Sequence, residues 1–432
     1  MDRQWRPRRL VYEKKAVNWL KNRLHGFGTK TACIEGGKLW TYNDFLGEID
    51  AFKNDFGSER IILIDTAKTV EGLAQLIAIA QSDRIALPLP PELPEAERAR
   101  MQQLAASSPL CDQLDGSGLI LFSSGTSGEP KGMLHDLPAL LKRFQPVKPR
   151  QDRTLQLLLV DHIGGIDAAL RCLCAGSTLV IPGARTPEAA GRAIEAHRAN
   201  ILPASPTFLN LMLMNGVPEQ YDCRSVEIIA YGAEAMPEPL LRRLGRAFPK
   251  ADLQQKFGTS ETGAVRIQSQ GKDSLFFRIK DPDTEWKVVE EELWLKTPSR
   301  ILGYLNADET SLEADGWYRT GDLVEEGPEG SLRIIGRQSA TINVGGQKVQ
   351  PAEVEAVLFE LEGIDACAVF GEPDPITGQR VACEIFSTKE RGLRSWKRAI
   401  RDHCRGKLAP WKIPAGVKVV ETLNVNSRLK RS

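Results

Sequence analysis

Residues 118–136 read GLILFSSGTSGEPKGMLHD and gather groups suited to holding an anion. Gly125 and Gly128 admit positive φ and let the backbone come close. Successive N–H groups in such a turn form a concave anion site. Ser123, Ser124, Thr126 and Ser127 add hydroxyl donors, and Lys131 adds a mobile positive charge. The chemistry suggested is phosphate binding. A Walker loop is excluded, because that pattern ends in Gly-Lys-Ser/Thr and runs directly into a helix, whereas Lys131 follows Pro130. A surface loop between two strands would use the same residues, so the rest of the chain has to decide.

Four further stretches carry suitable groups: YGAEAMP (231–237), FGTSETG (257–263), GWYRTGDL (316–323) and GRQSATINVGGQKVQPAEVE (336–355). An aromatic face is a platform for a base, and a carboxylate accepts from a vicinal diol. Mg²⁺ takes one or two carboxylates plus phosphate oxygens. Taken singly, each residue has a plainer role: Phe257 in a core, Asp322 in a turn or cap, Glu261 in solvent.

Together the five stretches, in this order, resemble the adenylate-forming superfamily of acyl-CoA synthetases, peptide-synthetase adenylation domains and luciferases. The resemblance runs from about Thr31 to the C-terminus, with a shorter N-terminal part than is usual there. It implies that Ser124, Gly125, Thr126, Ser127, Gly128 and Lys131 form a phosphate loop. The backbone of Gly232, Ala233 and Glu234 would lie along adenine. Phe257 and Gly258 would meet the purine, Thr259 and Ser260 phosphate, and Glu261 Mg²⁺. Asp322 would take both ribose hydroxyls, with Arg337 also reaching the ribose. The reaction implied is attack of a carboxylate on the α-phosphorus of ATP, then transfer of the acyl group to a thiol of coenzyme A or of a carrier protein's phosphopantetheine. NVGGQK (343–348) resembles the strand presented to the thiol; Gly345 and Gly346 equally suit an ordinary hairpin bulge.

The acid is read from LLLVDHIGGIDAALRCLCAGSTLVIP (157–182). His162, Gly164 and Gly165 resemble the gate of acyl and aryl ligases, where amino-acid-activating relatives carry an aspartate; Asp161 lies one position away. A fatty or aryl acid is favoured over an amino acid, and His162 could instead simply cap or pack a helix start. LPASPTFLNLML (202–213) would serve as a pocket wall or a core helix. The family's C-terminal Gly-Lys becomes Ser427–Arg428, with Lys430 two residues on. The usual acidic hinge residue becomes Ser339. Arg keeps the charge but not the compact ammonium, so Arg428 stands as the third candidate catalytic residue beside Lys131 and Glu261. The departures keep open a non-catalytic nucleotide-binding relative, and Asp161 an amino-acid adenylation domain serving a stand-alone carrier.

These residues need an α/β scaffold. RIILID (60–65), STLVIP (177–182) and VEIIAYG (226–232) read as buried strands. TPEAAGRAIEAHRAN (186–200) opens with an N-cap threonine and a proline at the first helical position. MPEPLLRRLGRAFP (236–249) and QPAEVEAVLFELEGI (350–364) repeat apolar residues at helical spacing. The expected architecture is a large N-terminal domain of layered α/β subdomains (1–337) and a small mobile α+β domain (338–432), hinged near Gln338–Ser339.

The chain has 432 residues and a net charge of +1, which gives no electrostatic case for nucleic acid or an anionic membrane as main partner. No apolar run approaches the ~20 residues of a membrane span, and the basic start lacks the apolar centre of a signal peptide. The eight cysteines include no Cys-x-x-Cys pair, and Cys172 and Cys174 fall in an apolar segment, so a reduced, cytoplasmic protein is expected. The five histidines form no metal-ligand spacing with them.

Overall fold

The computed structural model describes residues 17–90, 92–123, 130–271, 273–307 and 311–421. Ser124, Gly125, Thr126, Ser127 and Gly128 of the glycine-rich loop lie outside the described residues, as do Ser427, Arg428 and Lys430.

Two sheets enclose a shared apolar layer. The first has seven strands, in the order Asp252–Gln255, Ile228–Tyr231, Ile201–Ala204, Arg153–Leu155, Thr178–Ile181, Thr31–Glu35, Lys38–Thr41. All its pairings are parallel except the last. The second has five strands, in the order Gly303–Tyr304, Lys131–Asp136, Gly118–Ser123, Ile85–Leu89, Ile61–Asp65. Helix Thr69–Ala80 is apolar almost all round, with Val70, Leu73, Ala74 and Ile77 wholly buried. Such a helix has no solvent face to offer and belongs in an interior. It shares one core with helix Ile163–Cys174, with Leu119, Leu121 and Met133 of the second sheet, and with Cys33 and Leu179 of the first.

A six-stranded antiparallel sheet follows, in the order Ile267–Ser269, Phe277–Ile279, Ser331–Arg337, Tyr318–Gly327, Glu292–Lys296, Glu285–Val289. It has its own core around Phe277, Leu293, Leu295 and Leu332.

The last unit is a five-stranded sheet covering Ile342–Val420, with helices Pro351–Leu358 and Leu393–Cys404. Its core draws only on residues between Ile342 and Val417, among them Val354, Leu358, Trp396 and Ile400. A core drawn from the unit's own residues shows that it folds around itself. Asn210 Nδ2 donates to Asp365 O at 2.9 Å and ties it to the larger body.

The predicted elements form where the residue pattern placed them. Thr186 Oγ1 caps helix Pro187–His197 by accepting from Ala189 N at 3.2 Å. Helix Pro206–Met214, read as a pocket wall or a core helix, buries Phe208, Leu209 and Met212 completely in the core. Gly345 and Gly346, with φ of +58° and +88°, make the two-residue turn between Ile342–Val344 and Gln347–Val349. Two consecutive positive φ values suit a tight hairpin turn; no residue is bulged out of the ladder.

Candidate active site

The strands Gly118–Ser123 and Lys131–Asp136 pair antiparallel, with Ser123 opposite Lys131. The glycine-rich segment therefore joins two adjacent strand ends, and Lys131 emerges at one of them. Its side chain is exposed, with Nζ 5.8 Å from the centre of the Tyr304 ring. Asn306 holds this end: its Oδ1 accepts from Gly132 N at 2.9 Å and its Nδ2 donates to Pro130 O at 2.9 Å. Asn306 carries no motif and escaped the sequence reading.

The YGAEAMP segment leaves the strand Ile228–Tyr231 through Gly232 and Ala233. A Cβ on Gly232 would meet Lys256 O at 2.5 Å, so only glycine fits beside the neighbouring chain. Ala233 has φ +70°, an uncommon state for a residue with a side chain. Strain of this kind persists only where the surroundings enforce it, and it collects at ligand sites. Glu234 Oε2 accepts from Thr207 N at 3.1 Å, at the second position of helix Pro206–Met214. A carboxylate there complements the helix N-terminus, so the Glu234 side chain braces the turn from behind.

The FGTSETG segment is a tight antiparallel turn between Phe257–Thr259 and Gly263–Val265. A Cβ on Gly258 would lie 2.4 Å from Gly263 O. Thr259 Oγ1 accepts from Thr262 N at 3.1 Å and lies 3.0 Å from Thr262 Oγ1, so its hydroxyl is engaged inside the turn. Phe257 is buried and stacks on Phe277 with ring centres 5.8 Å apart, which places it in a core. Ser260 is half-buried at the tip. His135 lies buried behind this turn, facing the backbone of Ser260 and Ser299, and burial pushes its imidazole down to about 4.

Glu261 is where the elements meet. Its backbone oxygen accepts from Ile301 N at 2.7 Å, and its Oε1 accepts from the Tyr304 hydroxyl at 3.2 Å. Tyr318 lies close enough that its hydroxyl is pushed up by burial first, and then by the charge of Glu261. Asp322 also feels Glu261. Its carboxyl is pushed up to about 6, by burial above all, against the pull of Arg337 and with the repulsion of Glu261 and Glu292. Arg337 Nε donates to Asp322 Oδ1 at 2.8 Å. Contacts and charge interactions thus link Lys131, Tyr304, Glu261, Tyr318, Asp322 and Arg337 in one chain, with Tyr318 and Asp322 buried, contributed by the second sheet, the 257–263 turn and the six-stranded sheet.

Among the described residues no group of three or more His, Cys, Asp or Glu side chains could hold a metal alone. Glu261 fits Mg²⁺ in a different way. A single oriented carboxylate suits an ion that arrives on phosphate oxygens and adds one protein ligand.

His162 is the N-cap residue of helix Ile163–Cys174, with no side-chain capping bond, and its Nε2 lies 3.8 Å from Asp161 Oδ2. Asp161 itself is 3% exposed. Gly164 is exposed, and a Cβ there would meet nothing nearer than Leu158 Cδ1 at 3.8 Å. Gly165 is buried, and a Cβ there would lie 1.9 Å from Leu159 O. One glycine opens the surface and the other lets the preceding loop pack on the helix.

The profile of the AMP-binding enzyme family matches residues 106–305, and that of the AMP-binding enzyme C-terminal domain matches residues 353–430. The chain belongs to the AMP-binding enzymes, within the adenylate-forming superfamily. The two matched stretches fall on the large N-terminal domain and on the C-terminal unit.

This AMP-binding enzyme is 30% identical over 328 residues to a 3-[(3aS,4S,7aS)-7a-methyl-1,5-dioxo-octahydro-1H-inden-4-yl]propanoyl:CoA ligase of Mycobacterium tuberculosis, covering 72% of this chain and 64% of that one. It is 28% identical over 334 residues to acyl-CoA synthetase 7 of Caenorhabditis elegans, covering 70% of this chain and 62% of that one. The chain thus spans just under two thirds of the length of both relatives. A 2-succinylbenzoate–CoA ligase of Bacillus subtilis is 28% identical over 348 residues, covering 74% of this chain and 69% of that one. Among solved structures, an anthranilate CoA ligase bound to anthranoyl-AMP shares the fold with TM-score 0.81 and 21% identity, over 96% of this chain and 95% of that one. An o-succinylbenzoate CoA synthetase from Bacillus subtilis bound to its acyl-adenylate shares it with TM-score 0.76 and 21% identity, over 96% of each chain.

Proposed function

We propose that this chain is an AMP-forming ligase that activates a carboxylic acid with ATP and passes the acyl group to a thiol. The observation that carries the reading is the chain of contacts and charge interactions that links Lys131, Glu261, Asp322 and Arg337 from three separate sheet systems.

A carboxylate is a poor acylating agent because its oxygen is a poor leaving group. In the first step a carboxylate oxygen attacks the α-phosphorus of ATP. An oxygen–phosphorus bond forms, the bond to the bridging oxygen breaks, and pyrophosphate leaves. In the second step a thiol sulfur attacks the acyl carbon, the thiol proton is lost, and AMP leaves. The protein contributes positioning and charge rather than a covalent nucleophile. Lys131, mobile and exposed, neutralises phosphate charge. Glu261, oriented by Tyr304, would hold Mg²⁺, which when bound would cover phosphate charge. Asp322 accepts from the ribose hydroxyls, with Arg337 beside it. Ser124, Gly125, Thr126, Ser127 and Gly128 supply donors to the phosphates, Gly232, Ala233 and Glu234 border the base, and Arg428 brings the C-terminal charge to the reacting carboxylate. The hinge lies near Gln338–Ser339, dividing 1–337 from 338–432, and a short helical turn at Gln338–Ala340 supports that placing.

Coenzyme A is the preferred acceptor, since the similar proteins are CoA ligases; a carrier-protein phosphopantetheine is the alternative. A fatty or aryl acid is preferred because Asp161 is buried beside His162 instead of lining an open face. Cytoplasmic residence is supported by eight buried free thiols; among the described residues no helix is long and apolar enough to cross a membrane.

The test is a pyrophosphate-release screen over fatty, aryl and amino acids, with wild type, Arg428→Lys and Lys131→Ala. Release with one acid class, strengthened by Arg428→Lys and reduced about 10²-fold by Lys131→Ala, supports the reading. ATP binding without acid-dependent release in either wild type or Arg428→Lys would identify a non-catalytic nucleotide binder.

A further inference from the structure

The ladder between Glu292–Lys296 and Tyr318–Gly327 is irregular beside Asp322. Trp294 faces Arg319, but Glu292 faces Leu323, so two extra residues of the second strand are accommodated between these pairs. A bulge of this kind bends the strand, re-aims a side chain and leaves backbone groups without ladder partners. Here it covers Thr320, Gly321 and Asp322, and Gly321 has φ +69°.

The stranded groups are recovered by side chains. Gly321 N donates to Glu292 Oε1 at 2.9 Å. Asp322 N donates to Thr320 Oγ1 at 3.0 Å, whose hydroxyl donates to Leu293 O at 2.6 Å. Glu292 Oε2 accepts from Trp294 Nε1 at 3.0 Å and from Arg319 Nε at 3.4 Å. Glu292 is 5% exposed, so this carboxylate sits almost dry with its oxygens engaged.

We propose that Glu292 is a positioning residue for nucleotide binding: its carboxylate replaces the acceptor that the bulge removed and locks the Gly321–Asp322 peptide, so that Asp322 is aimed at the ribose. This rests on the ribose role given to Asp322 above. A carboxylate suits the post because it only accepts, and three donors converge on it. It also places a second negative charge near Asp322. The charged groups facing Asp322 are Arg337 from the strand Ser331–Arg337, Glu261 from the 257–263 turn, and Glu292 from Glu292–Lys296. Arg319, on the strand of Asp322, offsets part of the Glu292 charge. A ladder filler would need no charge here; a residue that tunes Asp322 does.

The experiment measures pyrophosphate release by the full chain with ATP varied from pH 5.5 to 8.5, for wild type, Glu292→Ala, Glu292→Gln and Asp322→Asn, with thermal unfolding as the control for folding. Glu292→Ala is expected to raise the KM for ATP about tenfold with kcat changed far less, since a displaced contact weakens positioning. Glu292→Gln is expected to recover most of that loss, because the amide oxygen still accepts from Gly321. Both move the acid limb of kcat/KM for ATP to lower pH, since Asp322 ionises more easily without the neighbouring charge. A purely structural role would not move that limb. If Glu292→Ala does not fold, the limb of Glu292→Gln decides. An unmoved limb and an unchanged KM in the Glu292 variants, with KM raised in Asp322→Asn, overturns the inference alone. An unchanged KM in Asp322→Asn overturns the ribose role and the inference with it.

Discussion

Asp322 and Arg337 stand directly opposite each other in the ladder between Tyr318–Gly327 and Ser331–Arg337, and Arg337 Nε donates to Asp322 Oδ1 at 2.8 Å. The pair is unequal. The Asp322 side chain is 8% exposed and that of Arg337 is 56% exposed. A buried acid thus faces a cation that remains in water, and the desolvation of the acid outweighs the attraction. That imbalance is what leaves the Asp322 carboxyl at about 6, with Glu261 and Glu292 adding repulsion. A protein built for stability alone would neutralise this position; the proposed acceptance from two ribose hydroxyls gives a reason to keep it.

Asp322→Asn separates those demands. A carboxyl whose pKa rises on folding contributes stability that is fully present below its unfolded value, near 3.8, and lost as pH rises through about 6. The amide avoids the ionisation cost, so the variant should be more stable than wild type at pH 8 by up to about 3 kcal/mol. The two should converge below pH 4. Chemical denaturation across pH measures the stability difference, and nucleotide titration should show ATP binding weakened in the same variant.

His135 acts with the opposite sign. Its folded value near 4 lies below the ordinary 6.5, because burial disfavours the charged ring. The unfolded chain takes up a proton below pH 6.5 while the folded protein does not until about 4, so stability falls by up to about 3 kcal/mol across that window. His135→Leu should flatten this part of the stability curve and still fold. Because His135 backs Ser260 and Ser299, the variant should also slow acid activation. An unchanged acid-side slope in denaturation curves would show that the ring does not stay neutral.

Tyr304 orients Glu261 through the 3.2 Å hydrogen bond while Lys131 lies over its ring. Tyr304→Phe keeps the ring and removes the donor. Partners of this kind are commonly worth ten- to a hundredfold in metal affinity, so the Mg²⁺ concentration for half-maximal pyrophosphate release should rise about tenfold, with the KM for the acid unchanged. A Mg²⁺ titration at fixed ATP reads this directly.

What was legible beforehand follows from where the information sits. The glycine-rich run, the 257–263 turn and the Asp322 strand are local runs, so Lys131 could be named from the residue types beside it, and Glu261, Asp322 and Arg337 from the family resemblance that the runs carry together. Their supports could not. Glu292 follows Glu290 and Glu291 and reads as part of a solvated turn; its burial depends on a strand register that slips opposite Gly321. Tyr304 and Asn306 sit on an edge strand and the residues after it, with no local pattern linking them to residues 132 and 261. The Thr259 hydroxyl was legible as a donor, but not that Thr262 would engage it within the turn. Glu234 was read for its backbone, and its side chain proved to reach a helix 27 residues earlier in the chain.

Two adjacent glycines give opposite expectations at the proposed acid end of the site. A methyl group at Gly165 would enter the space of Leu159 O, at 1.9 Å, and backbone cannot yield as a flexible side chain does. Gly165→Ala should therefore destabilise the protein by several kcal/mol, as overpacking and displaced backbone do, or abolish folding. At Gly164 a Cβ meets nothing nearer than 3.8 Å. The position lies in the first turn of helix Ile163–Cys174, where alanine fixes the backbone at less entropic cost than glycine. Gly164→Ala should thus unfold at the same temperature or higher, while the KM for a bulky acid rises because the methyl adds bulk to an exposed face of the proposed acid site. Thermal unfolding and acid-dependent pyrophosphate release, measured on both variants, distinguish a glycine kept for packing from one kept for access; equal effects on stability at the two positions would contradict the assignment.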